Sequence, residues 1–166
     1  MANRSISVLF VSRENAVRSI VAEACLNHLG KEKFKAYSCG VPGLASKPVP
    51  EPVLSVLASS ALPFKDFYGK PWTDFIRSGA PHLDFVISLD SATVRSHPSW
   101  PGQPATALWS CLPVLTENFS DSKFKITAQQ TLYLLRRRIE LLVALPMHGL
   151  DRSALRSDIR DMAHMP

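Results

Sequence analysis

The sequence predicts an α/β fold, a three-layer domain on a short parallel sheet of about four strands with helices on both sides. Two patterns and a composition predict it. Short apolar runs rich in strand formers alternate with segments whose apolar residues recur every three or four positions, as βαβ units require. The connections are punctuated by Pro and Gly and carry no internal repeat or low-complexity tract. Hydrophobic residues make up 46% of the 166 positions and charged residues 20%, which excludes disorder as the default. A chain of this length buries roughly two thirds of its unfolded surface, so the whole of it, residues 1–166, is expected to form a single domain.

Ile6, Val8, Leu9, Phe10 and Val11 form a nearly continuous apolar run, suited to a central strand covered on both faces. Six residues later Val17, Ile20, Val21, Ala24, Cys25 and His28 repeat on one helical face. Gly30 then stands where a left-handed helix cap is expected. Phe34 to Cys39 reads as a second strand, stopped by Gly40 and a loop with Pro42, Gly43, Pro48 and Pro50. A helix begins at Pro52, with Val53, Leu54, Val56, Leu57 and Ala61 as its apolar residues. Phe85 to Leu89 reads as the third strand, and a loop holding Pro98, Pro101 and Pro104 leads to a fourth at Ala105 to Trp109. After a polar link around Glu117 to Lys125, Ala128, Leu132, Leu135, Ile139, Leu142 and Val143 mark a long helix ended by Pro146. In such a sheet, ligands are expected outside the carboxyl ends of the strands.

Lys and Arg outnumber Asp and Glu by 19 to 14, and a net charge of +5 favours acidic partners without choosing among phosphate, phosphoprotein, nucleic acid and anionic lipid. Cys25, Cys39 and Cys111 are odd in number and far apart, and the five His residues show no ligand spacing. Neither a disulfide framework nor a metal site is expected, nor any cofactor. Free thiols fit a reducing compartment, and the apolar runs are too short for a signal peptide or a membrane span, so the expected location is the cytoplasm. Arg136, Arg137 and Arg138 lie beside the buried seam marked by Leu135 and Ile139 and read as a solvated face rather than a nucleic-acid surface. Cys39 and Cys111 read as small core residues, and Trp109 either walls a pocket or fills the core.

Ser12-Arg13-Glu14-Asn15-Ala16-Val17-Arg18-Ser19 lies between the first strand and the first helix. Backbone amides converging at a helix start, with an arginine to fork two oxygens, suffice for an oxyanion site. Here the chain resembles the low-molecular-weight protein tyrosine phosphatases and the thioredoxin-coupled arsenate reductases, whose signature is Cys, five residues, Arg, Ser after an N-terminal strand. Ser12 stands at the Cys, Arg18 at the Arg, Ser19 at the Ser and Asn15 at the usual Asn. Ser38-Cys39-Gly40 with Pro42-Gly43, Tyr68-Gly69-Lys70 and Asp84 to Asp90 resemble further family segments, so the likeness spans most of the chain.

The resemblance implies the family fold and anion binding by residues 12–19, with Ser12 and Arg18 at the catalytic positions. The departures remove the chemistry. A serine hydroxyl lacks the thiolate's nucleophilicity and needs an adjacent base, and none is visible nearby. The family's general acid is an Asp beyond the fourth strand, where this chain reads Ser110, Cys111, Leu112, Pro113, Val114, Leu115 and Thr116. Arsenate reduction needs two further cysteines in the segment from Asp90 to His97, and those two residues occupy their places. Glu14 replaces the usual Gly and either points outward or turns in to pair with Arg18. The expected function is therefore that of a catalytically impaired pseudophosphatase binding phosphate, a similar oxyanion or a phosphoprotein. The alternatives are an active phosphate monoesterase, acting through Ser12 or a bound water with Arg18 stabilising the transferred group, and a basic nucleic-acid-binding module. The sequence does not set the oligomeric state.

Overall fold

The structure is a computed structural model that describes residues 5–62, 64–65, 68–111, 121–145 and 152–164. Four strands, β1 (Ile6–Val11), β2 (Phe34–Cys39), β3 (Phe85–Ser88) and β4 (Ala105–Leu108), form one sheet in the order β2-β1-β3-β4. Every pairing is parallel, with Val8 opposite both Ala36 and Phe85, and Phe85 opposite Ala105. The α-helices are α1 (Arg18–Leu29), α2 (Glu51–Ser59), α3 (Ser91–Ser96), α4 (Asp121–Ala144) and α5 (Arg152–Asp161).

Alternation along the strands sorts side chains onto two faces. Ile6, Val8 and Phe10 of β1, with Phe34, Ala36, Phe85 and Ile87, point into the larger core, which α1, α2, α4 and α5 complete. Leu9, Val11, Cys39 and Val86 point the other way. There they meet Phe75 from the 3-10 turn Trp72–Phe75, together with Leu83 and Trp100. The layers on the two faces of the sheet are thus unequal in depth. Burial of β1 on both faces is what its unbroken apolar run anticipates, because a central parallel strand has no solvated side.

β2 lies at an edge of the sheet. Its outer peptide groups at Ala36 are taken by one side chain of α1: Ala36 N donates to Asn27 Oδ1 at 2.8 Å, and Asn27 Nδ2 donates to Ala36 O at 3.1 Å. An amide side chain thereby stands in for a strand on an otherwise open edge.

The structure corrects several expectations. Gly30 is not in the left-handed region, since its φ is −111°. Glycine is needed there for space: a Cβ would stand 2.9 Å from the Phe34 ring. The segment after β3, read as a loop, contains α3, a helix short enough to show no periodicity. α4 starts inside the supposed polar link, with buried Phe124 extending the Ala128, Leu132, Leu135 seam by one turn. α5 was not anticipated, although Leu155 and Ile159 recur at its buried face and Met162 is buried in the 3-10 turn that follows it. α2 opens at Glu51, and β3 and β4 stop one residue short of Leu89 and Trp109. Residues 112–120 and Pro146, including most of the segment compared with the family's general acid, lie outside the described residues.

Candidate functional site

β1 ends at Val11, and the six residues Ser12 to Val17 carry the chain from the central strand into α1. In the order β2-β1-β3-β4 the strand order reverses between β1 and β3, the switch point at which open α/β sheets hold ligands. Val17 is the N-cap of α1 and no side chain caps that end. The first-turn amides therefore lack a side-chain acceptor, and the positive end of the helix meets the loop.

Two neighbouring segments shape the loop from behind. Ser12 N donates to Cys39 O at 3.2 Å and Val41 N to Arg13 O at 2.9 Å, tying it to the chain after β2. Lys70 N donates to Asn15 Oδ1 at 2.7 Å. Gly40 and Gly69 lie against the loop backbone so closely that a Cβ would come within 2.9 Å of Asn15 N at the first and 2.8 Å of Asn15 O at the second. Asn15 itself has φ 52°, a left-handed angle that Asn tolerates better than most residues. Its Nδ2 donates to Ser19 Oγ at 2.8 Å, so the one amide side chain braces the loop in both directions. The Gly40 and Tyr68-Gly69-Lys70 segments, which the sequence marked only by resemblance, thus act as the loop's back wall.

Ser12 is 2% exposed, and its Oγ is 2.6 Å from Ser19 Oγ, itself fully buried. Arg18 is 7% exposed. Its Nη2 lies 3.1 Å from Asp90 Oδ2, while Nη1 donates to Cys111 O at 3.2 Å and Leu89 O at 3.4 Å. The same Asp90 Oδ2 accepts from Arg13 N at 3.1 Å, and Oδ1 accepts from Thr93 N at 2.8 Å, capping α3. One carboxylate is thus bonded to a loop amide, the loop arginine and the start of the next helix.

Glu14 and Arg13 are exposed, Ala16 is half-buried, and Asn15, Val17, Arg18 and Ser19 are buried. The pairing of Glu14 with Arg18 is therefore overturned in favour of the outward Glu14. The physical reason is the parallel register: Val11 sits opposite Ser88, so the residues just past β3 arrive beside the loop, and Asp90 reaches the guanidinium first. Sequence reading placed Asp90 only as a vacancy in a cysteine pattern. The signal it missed was Asp90-x-x-Thr93, the spacing of a helix N-cap, which fixes where that carboxylate sits.

The three cysteines add no thiolate. Burial pushes Cys25 up to about 11. Burial also drives Cys39 far above the ordinary thiol range, and raises Cys111 against the opposing pull of Arg138 and Arg18. Cys39 is a core residue as expected, whereas Cys111 is only half-buried beside Arg18. Trp109 is fully buried and serves the core. Among the described residues no three His, Cys, Asp or Glu side chains gather as a metal cluster, and no helix is long and apolar enough to cross a membrane.

No curated protein sequence matches the chain. Solved structures do. An arsenate reductase from Archaeoglobus fulgidus is 24% identical with a TM-score of 0.63, the alignment covering 83% of this chain and 99% of that one. The tyrosine phosphatase Wzb from Escherichia coli K30, determined in complex with sulphate, is 23% identical with a TM-score of 0.59, over 84% of this chain and 99% of its own. An arsenate reductase in its oxidized state is 25% identical, with a TM-score of 0.62 over 83% and 96% of the two chains. Residues 7–109, more than half the chain and running from within β1 to Trp109, match the family described as low molecular weight phosphotyrosine protein phosphatase, and the chain belongs to that family.

Proposed function

We propose that this chain is a catalytically impaired phosphatase-family protein that binds phosphate or a similar oxyanion, free or on a phosphoprotein, at residues 12–19. The uncapped start of α1, the Arg18 guanidinium and the loop amides supply the donors such an anion requires. The observation that carries the loss of chemistry is the Ser12 hydroxyl, held 2.6 Å from another hydroxyl and bonded to no base or acid among the described residues. An alcohol in that setting keeps its proton, so it neither attacks phosphorus nor leaves as a stable alkoxide.

Asp90 modulates the binding. Its Oδ2 already occupies Arg13 N and Arg18 Nη2, so an incoming anion competes with, or is repelled by, a fixed negative charge. Asp90→Asn keeps an acceptor for the Thr93 amide, since Asn caps helices as well as Asp does, while removing the charge. Calorimetric titration of inorganic phosphate into wild type, Asp90→Asn and Arg18→Ala tests the reading. Asp90→Asn is expected to bind roughly tenfold more tightly, a gain of about 1.4 kcal/mol, and Arg18→Ala to lose binding. Absence of phosphate binding in both wild type and Asp90→Asn would defeat the proposal. Equal affinities in those two proteins would leave the binding loop standing but remove the role of Asp90.

A further inference from the structure

β3 ends at Ser88, and strand alternation sends that side chain to the same side as Val86, the thinner face of the sheet. Paired residues of neighbouring strands share a face, so Thr106 and Leu108 of β4, opposite Val86 and Ser88, stand on that side too. With Val94 of α3, His97 just past it and Arg160 of α5, these residues line a pocket of about 350 Å³, within the size range of small-molecule sites.

Two polar groups in the pocket are unfilled. Ser88 is 3% exposed, yet its Oγ makes no hydrogen bond among the described residues. A hydroxyl withdrawn from water in this way costs stability until something bonds it. Arg160 Nε donates to Thr106 O at 3.3 Å, which anchors the guanidinium at the free edge of β4. Its two terminal nitrogens meet no acceptor among the described residues, and no other residue lining the pocket carries a permanent charge. His97 Nδ1 lies 2.8 Å from Pro98 O, and since a carbonyl only accepts, the ring carries a proton there. Trp100 backs the same ring at 5.8 Å. Val94 and Leu108 leave the rest of the lining apolar.

We infer that this pocket binds a small carboxylic acid with a ring-sized apolar body and a hydroxyl group. One anchored guanidinium matches the planar fork of one carboxylate, whereas a phosphate dianion calls for a second cation or a set of converging amides. The apolar body rests on Val94 and Leu108, and Ser88 Oγ bonds the hydroxyl. The pocket shares no residue with the loop of residues 12–19, so the inference stands apart from the function proposed for that loop.

Heteronuclear NMR titration of the full chain with para-hydroxybenzoate, beside its uncharged counterpart para-hydroxybenzamide, tests it. Wild type is expected to show saturable shifts at the amides of Ser88, Thr106, Leu108 and α3, with a dissociation constant on the order of a millimolar for so small a ligand. The benzamide, and the benzoate with Arg160→Gln, are expected to bind at least tenfold more weakly, and Ser88→Ala to weaken the benzoate about threefold. Arg160→Gln should leave phosphate titration at residues 12–19 unchanged, which separates this site from that one. Absence of saturable shifts overturns the inference, as do shifts confined to residues 12–19. Equal binding of acid and amide, or a wild-type affinity in Arg160→Gln, overturns recognition of a carboxylate.

Discussion

Asn15 holds a backbone angle that a side chain tolerates only with support, and its two hydrogen bonds, to Ser19 Oγ and from Lys70 N, are that support. Replacing Asn15 with Ala keeps the left-handed angle and removes both bonds. A loss of about 2 kcal/mol in urea unfolding is expected, with a smaller loss for Asn15→Gly because glycine accepts the angle freely. Equal losses in the two variants would show that the angle carries no cost here. Gly69→Ala is expected to be more damaging to the loop than its size suggests, since the new methyl meets Asn15 O rather than a movable side chain; a phosphate titration of that variant should show weakened binding. The thiols give a dependence on pH. Cys25 is raised by burial from an ordinary 9.0 to about 11, so between those values the folded state holds a proton the unfolded chain has released. Unfolding free energy should therefore be insensitive to this thiol below pH 9 and fall as pH rises towards 11, and substituting Cys25 with Ala should flatten that slope. At this scale the sequence displayed Ser12, Arg18, Ser19 and Asn15 directly, because their spacing is itself the loop. It hid the partner of Arg18, because a contact between residues 18 and 90 exists only once β1 and β3 lie side by side.

Among the elements, those with long or regular apolar patterns were legible and those defined by tertiary contact were not. β1, α1, β2 and the body of α4 announce themselves through periodicity, whereas α3 owes its existence to one cap, Asp90, and α5 to a surface waiting for it. That surface is Trp109. Its ring is fully buried beside Phe10, and its Nε1 donates to the carbonyl of Ile159 at 2.8 Å, fastening α5 to the end of β4. Trp109→Phe keeps an aromatic ring and deletes the donor, leaving a buried carbonyl without its partner. A destabilisation of about 1–3 kcal/mol is expected in urea unfolding, and amide exchange in α5 should quicken more than in α1. Uniform quickening across both helices would mean that Trp109 anchors the core as a whole and not α5 in particular. The fourth strand was visible in the sequence as a short run ending at this tryptophan, but nothing in that run says which later carbonyl its indole will find.

At the scale of the whole molecule, the sheet order decides where function can sit. Because β1 is flanked by β2 on one side and β3 on the other, the residues following it, the segments after β2 and the start of α3 converge at one end of the sheet. That convergence was readable from the alternation of strands and helices; the filling of it was not, since a carboxylate from a separate turn supplies the charge beside Arg18. The chain keeps the family fold, and the proposed reading, which sets Ser12 where the resemblance expects the nucleophile, rests on its alcohol being inert. Steady-state turnover of an aryl phosphate by wild type beside Ser12→Ala measures it most directly. Both proteins are expected to show the same background rate, whereas turnover by wild type that disappears in Ser12→Ala would contradict the account.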